Sequence, residues 1–81
     1  MRLDKFLKVS RIIKRRTVAN TVSDMGRVLV NGNQAKPAKQ LKVGDIIEIE
    51  YSNRLEKFEV LIIPTGNVSV QESSNLYRII E

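Results

Sequence analysis

Cysteine and histidine are both absent from this sequence of 81 residues. Without cysteine the chain has no disulfide framework and no thiolate metal site, and this composition fits a reducing cytosol. Histidine is the commonest metal ligand and the commonest general base, so both metal binding and acid–base catalysis lose their usual residue. We therefore expect no metal, no cofactor and no catalytic site.

Long apolar runs are missing as well. No run approaches the ~20 residues that span a bilayer. The apolar residues near the N-terminus are interrupted by Lys8, Ser10 and Arg11, unlike those of a signal peptide. A chain of this length forms one small domain with a modest core. The sequence predicts a soluble, cytoplasmic, single-domain protein.

Positive charge is concentrated at the N-terminus. Half of the 14 basic residues lie within positions 1–16, where Asp4 is the one acidic residue, so that this segment carries +6. Residues 17–44 add +3, whereas residues 45–81 carry −4. Such polarity is typical of proteins with a polyanionic partner, and we expect a nucleic acid before a membrane.

Hydrophobic spacing predicts two short helices before any strand. The first covers Leu3–Val9, with Asp4 as its N-cap, and a connecting turn follows over residues 10–16. The second begins at Thr17 as N-cap and ends at Gly26, a residue suited to a helix C-terminus. The apolar residues at steps of three and four are assigned to the core: Leu3, Phe6, Leu7, Val18, Val22 and Met25.

From Arg27 the hydrophobic period changes to that of β-strands. A hairpin over residues 27–35 turns at Asn31-Gly32, a dipeptide of tight turns. Longer strands follow over 46–51 and 55–63, and residues 76–80 form a last strand or an ordered tail. The expected fold is α+β, with two N-terminal helices and a small antiparallel sheet in residues 1–63, and a C-terminal loop with a possible last strand in residues 64–81.

Four segments, in this order and spacing, resemble the RNA-binding domain named after ribosomal protein S-four. They are Arg2-Leu3-Asp4-Lys5-Phe6-Leu7, Arg16-Thr17-Val18-Ala19, Gly26-Arg27-Val28-Leu29-Val30-Asn31-Gly32 and Val43-Gly44-Asp45-Ile46-Ile47. The resemblance covers roughly residues 1–50. It implies an L-shaped element of two helices and a hairpin that docks onto structured RNA. Arg15 replaces the serine that the family usually has before the second-helix arginine.

The runs 1–11, 13–17 and 31–36 are similar to a group of small stand-alone members of this family that act in ribosome-associated quality control. The related fifteen-kilodalton heat-shock protein has a longer basic C-terminal extension, so the resemblance favours the quality-control group. It implies binding to large ribosomal subunits obstructed by peptidyl-tRNA, with contacts to rRNA and P-site tRNA. We expect the protein to be a monomer. The resemblance further implies that these contacts are made while a partner protein adds alanines to the stalled chain without a template. The alternative is a general structured-RNA-binding protein, in ribosome assembly or heat shock, that acts outside alanine tailing.

Arg2, Arg16 and Arg27 are the strongest candidates for RNA contact, because a guanidinium binds phosphate through two parallel hydrogen bonds. The alternative is a solvated surface charge. The full set of expected contacts is Arg2, Lys5, Lys8, Arg11, Lys14, Arg15, Arg16, Thr17, Arg27 and Asn31. Few aromatic residues are available for base stacking, so recognition should depend on RNA shape and backbone.

Two of these residues, Thr17 and Asn31, have a structural alternative, and Asp4 is assigned a structural role. Asp4 is expected to support the fold and to orient a neighbouring arginine, rather than to recognise RNA directly. Thr17 can cap the second helix and leave its first amides open to phosphate. Asn31 can be a turn residue or an RNA contact at the hairpin tip.

Two other functions are weighed against RNA binding. Asp45, Glu48 and Glu50 lie close together in sequence, as an enzyme would need, but Glu48 and Glu50 alternate on one polar strand face and suit a solvated or protected edge. The acidic second half could instead contact a basic protein, a role that is compatible with RNA binding in the first half.

Overall fold

The computed structural model describes all residues from Met1 to Glu81. Its elements are, in chain order, α1 (Leu3–Val9), α2 (Arg16–Asp24), β1 (Val28–Val30), β2 (Asn33–Gln34), β3 (Ile46–Glu50), β4 (Leu55–Val60), α3 (Val70–Ser73), a 3₁₀ turn (Ser74–Leu76) and β5 (Tyr77–Ile80). The expected α+β class is confirmed, with one short helix more than the sequence predicted. No helix combines the length and the apolar character needed to cross a lipid bilayer.

The strands form one antiparallel sheet in the order β2-β1-β3-β4-β5. In its centre Val30 lies opposite Ile47, and Ile47 lies opposite Phe58. Residues directly opposite each other on neighbouring strands point to the same face, so these three lie together on the face that is covered by the helices. The opposite face carries Glu48 directly across from Lys57.

A single hydrophobic core joins the helices to the inner face of the sheet. It consists of Leu3, Phe6, Leu7, Ala19, Val28, Val30, Ala35, Leu41, Ile47, Ile49, Phe58, Val60 and Leu76. The three core residues of α1, which the sequence predicted, have no solvent exposure. Burial of each such side chain stabilises the fold by about 1.5–3 kcal/mol.

The predicted core face of α2 is partly wrong. Val18 and Met25 are 46% and 60% exposed, and the buried residues of this helix are Ala19 and Ser23. Val22 packs against the edge of the core. The Ser23 hydroxyl donates to the Ala19 carbonyl oxygen at 2.8 Å, which satisfies this polar group inside the protein. A helix that packs through small residues therefore has its buried face rotated away from the larger apolar stripe.

The C-terminal residues complete the sheet. Residues 77–80 are a strand, with Tyr77 opposite Val60 in β4, which settles the alternative of strand or tail. β4 ends at Val60 rather than at Ile63, because the Leu61 and Ile62 amides donate to the Leu76 carbonyl oxygen outside the ladder. The assignment of residues 64–81 to a unit separate from the domain stays a prediction.

Helix α3 was not predicted. Its N-terminus has the sequence of a capping box. The Glu72 amide donates to the Ser69 hydroxyl at 3.2 Å, and that hydroxyl, rather than the Ser69 amide, donates to the Glu72 carboxylate at 2.9 Å. The pattern of serine followed three residues later by glutamate is a readable helix start. The helix was not predicted from this pattern because it is only four residues long, too short for a hydrophobic period to be visible.

Candidate nucleic-acid interface

A buried carboxylate joins the two N-terminal helices. Asp4 is 2% exposed, and both of its oxygens are hydrogen-bonded. Arg2 binds it through Nε and Nη2 at 3.2 Å each, and Arg16 Nε lies 3.4 Å from Oδ2. The side-chain nitrogen of Asn20 donates to the same oxygen at 3.4 Å. Two arginines from different elements are thus held at one point while their side chains remain 44% and 47% exposed.

The role of Asp4 as N-cap is corrected by the structure. Arg2 occupies the N-cap position of α1, and Asp4 is the second residue of the helix. Its carboxylate nevertheless accepts a hydrogen bond from a first-turn amide, that of Lys5, at 2.8 Å. A carboxylate in the first turn of a helix is favoured by the macrodipole, so the helix start is stabilised from inside the helix.

The pKa of the Asp4 carboxyl is lowered from its ordinary value. Burial by itself would raise this pKa, but the hydrogen bonds from Asn20, Arg16 and the Lys5 amide, with the positive charge of Arg16, outweigh it. The carboxylate is therefore charged at neutral pH. Without it, two guanidinium groups would face each other with no anion between them.

The start of α2 is open to solvent. Thr17 is not its N-cap, because Arg15 holds that position with no side-chain cap. Thr17 is the second residue of the helix and lines a shallow depression together with Asp4, Arg16, Asn20 and Thr21. The first amides of the helix therefore have no capping partner, and such an end suits a phosphate. The expectation of an exposed helix start stands, although its cap was assigned wrongly.

All ten residues predicted to contact RNA are exposed, but they do not form one cluster. Lys5, Lys8, Arg11 and Lys14 line one groove beside α1. Arg16 and Thr17 line the depression at the start of α2. Arg27 lies elsewhere, beside a depression between α2 and the end of β3.

Asn31 has the structural role that the sequence left open. It occupies the hairpin turn with φ +53°, and its side-chain oxygen accepts a hydrogen bond from the Ile46 amide at 3.0 Å. Its side-chain nitrogen donates to the buried Asp45 at 3.1 Å. Asn31 thereby fastens the hairpin tip to the turn before β3. Its predicted contact with RNA is untested, and we expect the structural role to dominate.

Sequence reasoning missed a basic loop beside Arg2. Arg2 forms an isolated antiparallel bridge with Gln40, and the Leu3 amide donates to the Lys39 carbonyl oxygen at 2.8 Å. These backbone contacts place Lys39, which is exposed, in the segment that pairs with Arg2. The positive charge of residues 17–44 was visible in the sequence. The contact of this loop with Arg2 was not, because the two segments are almost 40 residues apart.

The acidic residues of the second half are arranged as a sheet surface. Glu59 pairs with Arg78 across β4 and β5, and Glu48 lies opposite Lys57. No group of three or more acidic, histidine or cysteine side chains is placed to hold a metal ion. The carboxylates of this face therefore have basic neighbours that the sequence alone did not assign to them.

Residues 1–47 match the model of the S4 domain. The chain is 44% identical over 81 residues to the RQC P-site tRNA stabilizing factor of Bacillus subtilis, an alignment that covers 100% of this chain and 93% of that protein. It is 50% identical over 80 residues to the protein of the same name from Streptococcus pneumoniae, covering 99% and 90%. Among solved structures, trimeric Heat Shock Protein 15 of Vibrio cholerae has a TM-score of 0.87 at 30% identity, covering 99% of this chain and 81% of that one.

Proposed function

We propose a function for this chain on the premise that it belongs to the S4 domain family and, within it, to the RQC P-site tRNA stabilizing factors. The chain is a non-catalytic RNA-binding protein that stabilises P-site tRNA during ribosome-associated quality control. The names of its relatives support the tRNA and the P site. Its own exposed basic surface supports contact with the RNA backbone.

The observation that carries this proposal is the arginine pair on Asp4. Arg2 and Arg16 are held within 3.4 Å of one buried carboxylate and still expose nearly half of their side chains. Each guanidinium has five N–H donors, so donors remain for phosphate oxygens after the contact with Asp4. A side chain that is already ordered loses less entropy on binding. The pair is therefore preorganised to bind an RNA backbone.

The proposal extends to the partners that the resemblance implies. The chain binds large ribosomal subunits obstructed by peptidyl-tRNA, contacts rRNA and the tRNA, and acts as a monomer in the cytoplasm. A partner protein adds alanines to the stalled chain while this protein is bound. The outer face of the sheet, where Glu48 lies opposite Lys57 and Glu59 pairs with Arg78, has no surplus of positive charge and would turn away from rRNA.

Replacement of Arg16 tests the proposal. We expect Arg16→Gln to weaken co-sedimentation with large subunits that carry peptidyl-tRNA by about tenfold, because a hydrogen bond to a charged group contributes about 1.5–3 kcal/mol. Arg78→Gln is the matched control, since Arg78 pairs with Glu59 on β4, far from Asp4. The control should bind within twofold of the wild type. The melting temperature of Arg16→Gln should fall only slightly, because Arg2, Asn20 and the Lys5 amide still bind Asp4.

Two results would contradict the proposal. If Arg16→Gln and Arg78→Gln weaken binding equally, the arginine pair makes no specific contact. If Arg16→Gln is largely unfolded at the temperature of the binding assay, its weaker binding follows from unfolding and Arg16 is a structural residue. Equal binding of the wild type to subunits with and without peptidyl-tRNA would favour the general structured-RNA-binding protein instead.

A further inference from the structure

We propose that the loop of residues 64–68 is part of the RNA-binding surface and forms, with α1, a groove for a phosphodiester backbone. This rests on the proposed function and deepens it, because it adds contacts outside residues 1–47, the part that matches the S4 domain. The groove is a second contact, apart from the arginine pair on Asp4.

The groove is strongly basic. Its lining includes Lys5, Lys8, Arg11 and Lys14 and the loop of residues 64–68. Four of these residues are cationic and none is acidic, although the chain as a whole has nine acidic residues. A concave surface lined by one sign of charge concentrates its field and raises the local concentration of the opposite charge. Its ligand should be a polyanion that can lie along a groove.

The loop supplies hydrogen-bond donors to this groove. No backbone amide of Thr65, Gly66, Asn67 or Val68 donates to another group of the protein. The side chains of Thr65 and Asn67 are also free of hydrogen bonds within the chain, and both residues are exposed. Backbone amides and the side chains of threonine and asparagine are common donors to phosphate oxygens. The loop therefore complements the charge of α1 with directional contacts.

Arg11 lines the groove although its backbone has a strained, left-handed conformation. It has φ +63°, and its amide donates to the Lys8 carbonyl oxygen at 3.0 Å. Gly26 occupies the same place after α2, with φ +77° and the equivalent bond to Ser23. Glycine adopts this conformation freely, whereas other L-residues are strained in it. An arginine at this position therefore indicates that its positive charge contributes to ligand binding in the groove.

Substitution of Gly66 tests the groove directly. Its backbone lies outside the left-handed region and a Cβ there would meet nothing within 4 Å, so a side chain can be added without a clash. We expect Gly66→Glu to bind a labelled RNA hairpin with a single-stranded tail about fivefold to tenfold more weakly than Gly66→Gln does in fluorescence anisotropy at low salt. Gly66→Lys should bind more tightly than Gly66→Gln, by about threefold. These shifts follow from one added charge beside bound phosphates.

The outcomes separate this inference from the proposed function. Arg16→Gln and wild type are measured with the same RNA. If both bind equally weakly, the proposed function fails. If Arg16→Gln is impaired while the glutamate, glutamine and lysine variants at position 66 agree within twofold, the loop lies away from the RNA and only the groove is refuted.

Arg11→Gly provides a second test. This substitution removes a cation from the groove and relieves the strained backbone, so the melting temperature should rise while RNA affinity falls about threefold or more. Arg11→Lys should keep the affinity within about twofold without the gain in melting temperature. An Arg11→Gly variant that binds as well as the wild type would overturn the assignment of Arg11 to the groove.

Discussion

Within residues 1–16, Asp4 is the one acidic residue among seven basic ones, and the structure gives it two tasks. Its carboxylate binds the Lys5 amide at the start of α1 and holds Arg2 and Arg16 on the surface. In a basic surface that binds RNA, an acid lowers the long-range attraction. Its presence is explained if the ordering of two arginines is worth more than the charge that is lost.

Asp4→Asn should separate these effects. The substitution makes the chain one unit more positive, so electrostatics alone would strengthen RNA binding. We expect the affinity to fall at least threefold instead, because Arg2 and Arg16 lose the anion that orients them. The free energy of unfolding in a urea titration should fall by about 1–2 kcal/mol, because solvent around the half-exposed arginines screens part of the interaction that is lost. Tighter RNA binding by this variant would contradict the role of Asp4.

The lowered pKa of Asp4 also has a pH signature. A carboxyl whose pKa is lower in the folded protein contributes stability that is complete above its unfolded pKa of about 3.9. This contribution is lost as the pH falls through the lower folded pKa. The stability of Asp4→Asn should therefore approach that of the wild type as the pH is lowered below about 4.

Among the secondary-structure elements, the hairpin of β1 and β2 combines a turn that the sequence predicts with contacts to residues that are distant in the chain. The Asn31-Gly32 turn was read from the sequence, and both residues have positive φ. The hydrogen bonds of the Asn31 side chain to Asp45 and Ile46 were not predicted. They hold the tip of the hairpin to the start of β3.

Asn31→Ala should therefore lower stability rather than RNA affinity. We expect the free energy of unfolding to fall by about 2 kcal/mol, from the lost hydrogen bonds and the cost of a left-handed alanine. RNA affinity at a temperature where the variant is folded should stay within twofold. Asn53→Ala is a control, because Asn53 is exposed in a turn and its side chain makes no hydrogen bond in the protein. A large loss of affinity with unchanged stability would instead identify Asn31 as an RNA contact.

The other elements divide according to how local their determinants are. α1 was predicted with its observed bounds, because its three core residues repeat at helical spacing over seven residues. The buried face of α2 was misjudged, since the packing partner selects Ala19 and Ser23 over the larger Val18 and Met25. The end of β4 was also misjudged, because Leu61 and Ile62 bond to a residue of the C-terminal segment.

At the scale of the whole molecule, the charge polarity of the sequence is converted into two faces of a body of 29 × 26 × 21 Å. The helices and their basic residues cover the inner face of the sheet. Glu48 and Glu59, each opposite a basic residue, lie on the outer face. An RNA ligand should therefore meet one side of the protein.

Salt dependence measures the size of that contact. If about five phosphates are neutralised, the logarithm of the association constant should fall with the logarithm of salt concentration at a slope of roughly −3.5 to −4.5. Filter binding over a series of salt concentrations gives this slope. Arg16→Gln should reduce its magnitude by about 0.7–0.9, as expected for one lost phosphate contact. A slope near zero would refute the electrostatic basis of RNA binding.

The sequence by itself determined the charge polarity, the first helix, the hairpin turn and the RNA-binding family, because each depends on residue types or on neighbours within a few positions. The tertiary structure decided which charges act together. It joined Arg2 and Arg16 through Asp4, and it placed the loop of residues 64–68 beside α1. Such contacts follow from the packing of one core, where burial depends on surfaces that are distant in the chain. The basic segment that was one cluster in sequence thus became an ordered arginine pair and a separate groove.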